Sequence, residues 1–169
     1  MEYTHYIGID PDVEKSGVAV LNKQTKCLEL HSLSFTELLN LFITQKASGN
    51  PSVVIVEAGW LNQGNWHLRY YDNIKVAARK GYDVGRNHEA GAKIIEAARY
   101  FNFEVRGVRP LKKCWRGKDG KITAEELAVF TGYTKKSNQD ARDAGLLAWT
   151  GANLPIIMNP HLLKTLKIK

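Results

Sequence analysis

Asp10, Glu57, Asp140 and Asp143 are the residues of this 169-residue chain whose type and placement point to chemistry. Asp10 ends the apolar run Tyr6-Ile7-Gly8-Ile9, and Glu57 ends Val53-Val54-Ile55-Val56. A charge directly after a buried run costs desolvation free energy unless something compensates it. Asp140 and Asp143 stand three residues apart in DARDAGLLAW, which puts both on one helical face near its start. If the first and fourth strands are sheet neighbours, Asp10 and Glu57 come close together. A helix packed at that end of the sheet then brings Asp140 and Asp143 to meet them. Carboxylates clustered in this way repel one another unless a cation neutralises them. Oxygen-rich sites of this kind suit Mg2+ or Mn2+. Two such ions about 4 Å apart activate a water and stabilise a leaving oxygen in phosphodiester hydrolysis.

Each acid also has a plainer role open to it. An Asp in the first turn of a helix is favoured by capping and by the helix dipole, so Asp140 or Asp143 alone carries little. Asp10 precedes Pro11 and fits a turn, as do Asp12 and Glu14. Glu57 resists such an account, because a charge ending a four-residue Val/Ile strand is seldom a free choice. Singly the plain readings win for all but Glu57; together, beside a basic mid-chain, the acids favour a site.

Other chemistries find little support. The five histidines (His5, His31, His67, His88, His161) show no HExxH or metal-ligand spacing, and Ser16 and Ser137 lack a nucleophile-elbow context. There is no GxGxxG and no Walker A loop. Cys27 and Cys114 are far apart without CxxC spacing, so neither a disulfide framework nor a zinc site is expected, and the setting reads as reducing and cytoplasmic. The N-terminus opens with polar Glu2, Thr4 and His5, and no window approaches 18 unbroken apolar residues. Neither a membrane span nor a secretory signal is therefore expected.

The net charge of +7 is unevenly placed. Residues 58–139 hold 16 of the 24 Lys/Arg and 8 of the 17 Asp/Glu, so the middle is basic and the ends are not. Basic charge binds phosphate backbones by counterion release, which makes nucleic acid the natural partner; a merely soluble basic surface accounts for it about as well.

The elements that must position these acids can be read from periodicity. Strands are predicted over 6–9, 17–22 and 27–33, joined by short connections as an antiparallel meander. A helix over 35–45 follows, broken by Gly49-Asn50-Pro51, and then a continuously apolar strand over 52–56, as expected of a strand buried on both faces. Residues 58–85 are polar and aromatic (Trp60, Trp66, Tyr70, Tyr71, Tyr82), with an exposed loop at 59–64 and part-helical character over 68–80. A strong helix spans 87–101, then a strand 103–108, a basic loop 109–121 and a short helix 123–130, with Thr123 and Glu126 at capping-box spacing. The last helix covers 140–150. The pattern is an α/β chain whose sheet begins antiparallel and gains parallel strands through helical crossovers. Length and composition fit one domain over 1–152 and a C-terminal tail over 153–169.

"GIDP" followed by "SGVAVL", then "VIVEAGW", then "DARDAGLLA" resemble, in order and rough spacing, the motifs of RuvC-type Holliday junction resolvases. That resemblance spans residues 7 to 149 and implies the ribonuclease H-like fold: a mixed sheet of three antiparallel strands followed by two parallel strands, flanked by helices. It implies a homodimer that binds branched DNA, a four-way junction, and nicks two strands symmetrically. Two Mg2+ ions per site, with Mn2+ substituting, would be held by Asp10, Glu57, Asp140 and Asp143. Trp60, three residues after Glu57, falls where the family often has a base-stacking aromatic, though a Trp at a strand end also suits a core. Lys112, Lys113, Lys118, Lys121 and Arg86 complete the DNA-binding set implied, and the helix 87–101 matches the one that pairs in the family's dimer. Two departures stand out: Asp12 replaces a usual glycine, and 60–83 is longer and more aromatic than the pattern. A related nuclease acting on RNA–DNA hybrids, flaps or single strands is the second reading. A non-catalytic nucleic-acid-binding protein is the third.

Overall fold

The computed structural model describes residues 2–62 and 73–158. Trp66, His67, Arg69, Tyr70, Tyr71 and the start of the predicted 68–80 helix lie outside the described residues, as do His161 and the basic end of the tail. The three N-terminal apolar runs form the expected meander: β1 (His5–Asp10), β2 (Ser16–Asn22) and β3 (Leu28–Leu33). After helix α1 (Phe35–Ala47), strand β4 (Ser52–Glu57) returns to lie parallel to β1. Strand β5 (Glu104–Val108) adds parallel to β4, giving the sheet order β3-β2-β1-β4-β5. Three antiparallel strands followed by two parallel ones, flanked by helices, make the ribonuclease H-like sheet that the motifs implied.

The pleat sorts the central strands onto two cores. Ile7 and Ile9 of β1, with Val54 and Val56 of β4, face Leu38 and Phe42 of α1 and Ile94 and Ala98 further along the chain. Tyr6 of β1, with Val53 and Ile55 of β4, faces the other way, toward Leu127, Ala144, Ala148 and Trp149. By the same alternation Asp10 and Glu57 belong to this second face. Two C-terminal helices cover it, α3 (Ala124–Thr131) and α4 (Gln139–Gly151). The capping box predicted at Thr123 and Glu126 is present and opens α3. Helix α4 lies directly on β1 and β2 because those strands offer glycines beneath it. A Cβ at Gly8 would run into the backbone at Ala144 and Ala148, and one at Gly17 into the Asp140 carbonyl.

The middle of the chain departs from the sequence reading. Helix α2 runs unbroken from Ile74 to Tyr100, where a weaker helix ending at residue 80 and a second starting at 87 were expected. Interior glycines cost a helix only about 1 kcal/mol each relative to Ala, so Gly81 and Gly85 do not stop it. Asn73 caps its start by accepting from the Val76 N–H. Its buried residues are Gly91, Ile94 and Ala98, so only the second half packs on the sheet. The stretch expected to be a loop from residue 59 begins instead as a 3-10 turn, Gly59–Leu61. Past residue 152 the described chain stays against α4: Leu154 packs on its core, and Trp149 Nε1–H donates to the Pro155 carbonyl at 3.1 Å. Among the described residues no helix is long and apolar enough to cross a membrane.

Candidate metal centre

The sheet places two of the four acids side by side. Ile9 pairs with Val56 in the parallel ladder, so Asp10 and Glu57 are the next residues at the same end of adjacent strands. Asp10 also stands opposite Gly17 on its other side, under the start of α4. Asp140 and Asp143 descend from that first turn and a half. One carboxylate oxygen each from Asp10, Asp140 and Asp143 lie within 4.8 Å of one another, the only such ligand cluster among the described residues. Glu57 is not in this trio. It lines the same small cavity as Asp10 and Asp143, a space of about 110 Å3 that Lys112, Lys113 and Trp115 also line.

The electrostatics are those of acids crowded without enough countercharge. The Asp10 carboxyl is pushed up from 3.8 to about 8, mainly by burial and then by Glu57, Asp140 and Asp143, with Lys121 opposing. Burial likewise raises Glu57, with Asp143 adding to it, while Lys121 and Lys113 pull it down. Asp140 is raised by burial, against the pull of Lys121. Raised carboxyls gathered in one cleft make these acids the candidate site of the chain.

Two groups hold this arrangement that spacing alone does not reveal. Gln139 Nε2 donates to Asp143 Oδ1 at 2.9 Å and to the Ile122 carbonyl at 3.1 Å, while its Oε1 accepts from Arg142 at 2.8 Å. Its i,i+4 relation to Asp143 is visible in the sequence; the reach to Ile122 is not. Glu126, only 4% exposed, accepts from the Arg116 N–H through both oxygens and from the Thr123 N–H at 3.0 Å. It thereby closes the base of the loop that carries Lys121. That ammonium sits 3.2 Å from Asp143 Oδ2 and 4.0 Å from Asp140 Oδ1, so Lys121, rather than Lys112, is the lysine in ion-pair contact with the acids.

The remaining predicted residues divide. Lys112 lines the inner cavity and Lys113 lines both it and an adjoining cleft of about 550 Å3. Trp60 lines that cleft too, in edge contact with His88 at 5.8 Å and with its ring against Gly91, and it stays 38% exposed. It is thus partly packing and partly cleft wall. Lys118, in the 3-10 turn Lys118–Gly120, lines neither space. Arg86 also falls outside: two residues from His88 along an unbroken helix is a rotation of about 200°. Its guanidinium lies over the Tyr82 ring at 5.6 Å and borders a separate hollow with Asp12 and Phe35. Asp12 serves its turn, its Oδ1 accepting from the Glu14 and Lys15 N–H groups. Its charge still bears on the centre, raising Asp140 after burial and against Lys121.

No family profile and no curated protein matches this chain. Among solved structures it is similar to Thermus thermophilus RuvC in complex with a Holliday junction substrate, at 15% identity and a TM-score of 0.45, over 88% of this chain and 92% of that one. It is also similar to a second Thermus thermophilus RuvC structure, at 15% identity and a TM-score of 0.29, over 97% of this chain and 90% of that one. The fold assignment itself stands on the order and sense of the five strands.

Proposed function

We propose that this chain is a divalent-metal-dependent DNA endonuclease that resolves four-way junctions by paired, symmetric nicks, acting as a homodimer in the cytoplasm. The observation that supports it most is the convergence of Asp10, Asp140 and Asp143 within 4.8 Å, on the sheet end where Glu57 lies beside them. These acids come from two strands and a helix distant in sequence, and their mutual repulsion makes sense only with cations present.

The donor set fits a hard ion. It is all carboxylate oxygen, it is partly open to solvent, and a cation, the Lys121 ammonium, already rests against two of its members. Asp10, Glu57, Asp140 and Asp143 would hold Mg2+, with Mn2+ as a substitute, and two ions per centre is the number that the resemblance implies. Bound divalent ions supply Lewis acidity and lower the pKa of water at a phosphodiester. The chain's own residues do the rest. Lys112 and Lys113 line the cavity beside the acids and would offer positive charge to a phosphate backbone there. Trp60 and His88 give the adjoining cleft an aromatic wall of the kind on which an unpaired base stacks.

The test is cleavage of a synthetic four-way junction with Mg2+ or Mn2+, mapped at nucleotide resolution. Symmetric paired nicks by the wild type, and binding without cleavage by Asp10→Asn, are expected. An intact junction with either ion rejects the junction reading. Cutting confined to RNA–DNA hybrid, flap or single-stranded substrates would move the activity to a related nuclease.

A further inference from the structure

We propose that Lys121 is a resident counter-cation of the acidic centre, seated where a divalent ion would bind, and that loading the metal displaces its ammonium into the cavity toward the phosphate. This rests on reading the centre as a metal site. Lys121 Nζ touches the same Asp143 and Asp140 carboxylates that converge with Asp10. A second cation cannot share those oxygens with an ammonium at 3.2 Å without strong repulsion.

The backbone around Lys121 is held, while its head group is tied by its ion pairs to Asp143 and Asp140, the contacts a metal would take over. The Gly117 N–H donates to the Lys121 carbonyl at 2.9 Å, and the Lys121 N–H donates to the Lys118 carbonyl. Just beyond, the Ile122 carbonyl is gripped by Gln139 and Arg142 of α4, and Glu126 ties Arg116 to Thr123 across the loop base. A rigid stem with four rotatable bonds above it can swing an ammonium several ångströms at little cost. The direction is given by the cavity: Lys121 lines it together with Lys112 and Lys113, so a displaced head group joins a group of lysines that phosphate would neutralise. Metal loading and phosphate binding would then favour one another through this single side chain.

The experiment is Mg2+ calorimetry on the full chain without DNA, for wild type, Lys121→Met and Lys121→Arg. It is run at about pH 9, above the raised Asp10 value of about 8, so that proton competition stays small. Lys121→Met should bind Mg2+ roughly ten-fold more tightly than wild type, since it removes the competing charge. Lys121→Arg, which keeps it, should bind no more tightly than wild type. In parallel, amine-reactive labelling read by mass spectrometry should rise at Lys121 when Mg2+ is added, with Lys118 unchanged as the internal reference. Equal or weaker binding by Lys121→Met, or labelling at Lys121 that Mg2+ leaves unchanged, overturns the proposal. If none of the three proteins binds Mg2+ or Mn2+, the metal reading itself falls and takes this proposal with it.

Discussion

Asp10 faces Gly17 across the antiparallel ladder, and the Asp140 carbonyl fills the space where a Gly17 side chain would stand. The distance between a strand acid and a helix acid is therefore set by a missing methyl group. Gly17→Ala must push the start of α4 off the sheet, and it should destabilise the fold by roughly 1–3 kcal/mol. Because α4 carries both Asp140 and Asp143, Mn2+ affinity should fall along with stability. Gly85→Ala is the contrasting variant: nothing lies within 4 Å of that Cβ, and the site is a helix interior. It should gain about 1 kcal/mol. Denaturant melts of the two variants beside wild type check the pair, and a Gly17→Ala protein as stable as wild type would contradict the packing described.

The raised Asp10 carboxyl makes stability depend on pH in a definite direction. In the folded, metal-free protein this group keeps its proton up to about 8, whereas the unfolded chain releases it near 3.8. The stabilisation tied to that proton is fully present below 3.8 and is lost as pH rises through about 8. Glu57 and Asp140 are raised too and act in the same sense. Melting temperature measured in EDTA should thus fall as pH rises from 3.8 to about 8. Asp10→Asn should flatten much of that slope and melt higher than wild type at about pH 8. Saturating Mg2+ should restore the wild type at that pH, because ligands that bind only the folded state stabilise it. A flat profile in EDTA would contradict the crowding of the acids.

Much of the fold and half of the site are legible in the sequence. β1 and β4 stand out because each is a run of four mostly β-forming apolar residues that stops on a carboxylate, and the parallel register then puts Asp10 beside Glu57. The length of α2 is not legible. Two glycines and a run of polar residues look like a break, since the first half of this helix has no fully buried residue and so leaves only a weak apolar stripe to count. Among the cations, Lys121 looks no better than its neighbours in sequence. What singles it out is a loop closed by the buried Glu126, a contact between residues 10 positions apart that no local period encodes. Arg86 is lost for the same reason as α2, since a continuous helix fixes its face opposite to that of His88.

Gln139 should tune the centre without touching a metal. Its amide holds one oxygen of Asp143 and the carbonyl next to Lys121, so it orients the Asp143 carboxylate. Removing an outer hydrogen-bond partner of a ligating carboxylate typically costs about 10–100-fold in metal affinity. Gln139→Leu is therefore expected to weaken Mn2+ binding by that order while leaving the melting temperature within a few degrees. Gln139→Glu loses the same donor but adds a carboxylate beside the cation site, so it should bind Mn2+ more tightly than Gln139→Leu while destabilising the metal-free fold. Calorimetry with Mn2+ distinguishes the two, and unchanged affinity in Gln139→Leu would show that Asp143 needs no such support.

Glu126 offers the sharpest separation of loop order from chemistry. Its carboxylate is buried and satisfies two backbone N–H groups, those of Arg116 and Thr123. Glu126→Ala leaves both without an acceptor and removes the capping box of α3, which should cost about 1–3 kcal/mol. Glu126→Gln keeps one carbonyl acceptor and should recover part of that loss. If Lys121 depends on this closed loop for its place over Asp143, the two variants should rank in the same order for proteolysis of the 115–121 loop and for Mn2+ affinity. Loosening the loop withdraws a competitor from the acids, so Mn2+ should bind more tightly in Glu126→Ala than in Glu126→Gln even though the fold is weaker. Affinity that instead fell in step with stability would mean the loop builds the metal site rather than guarding it.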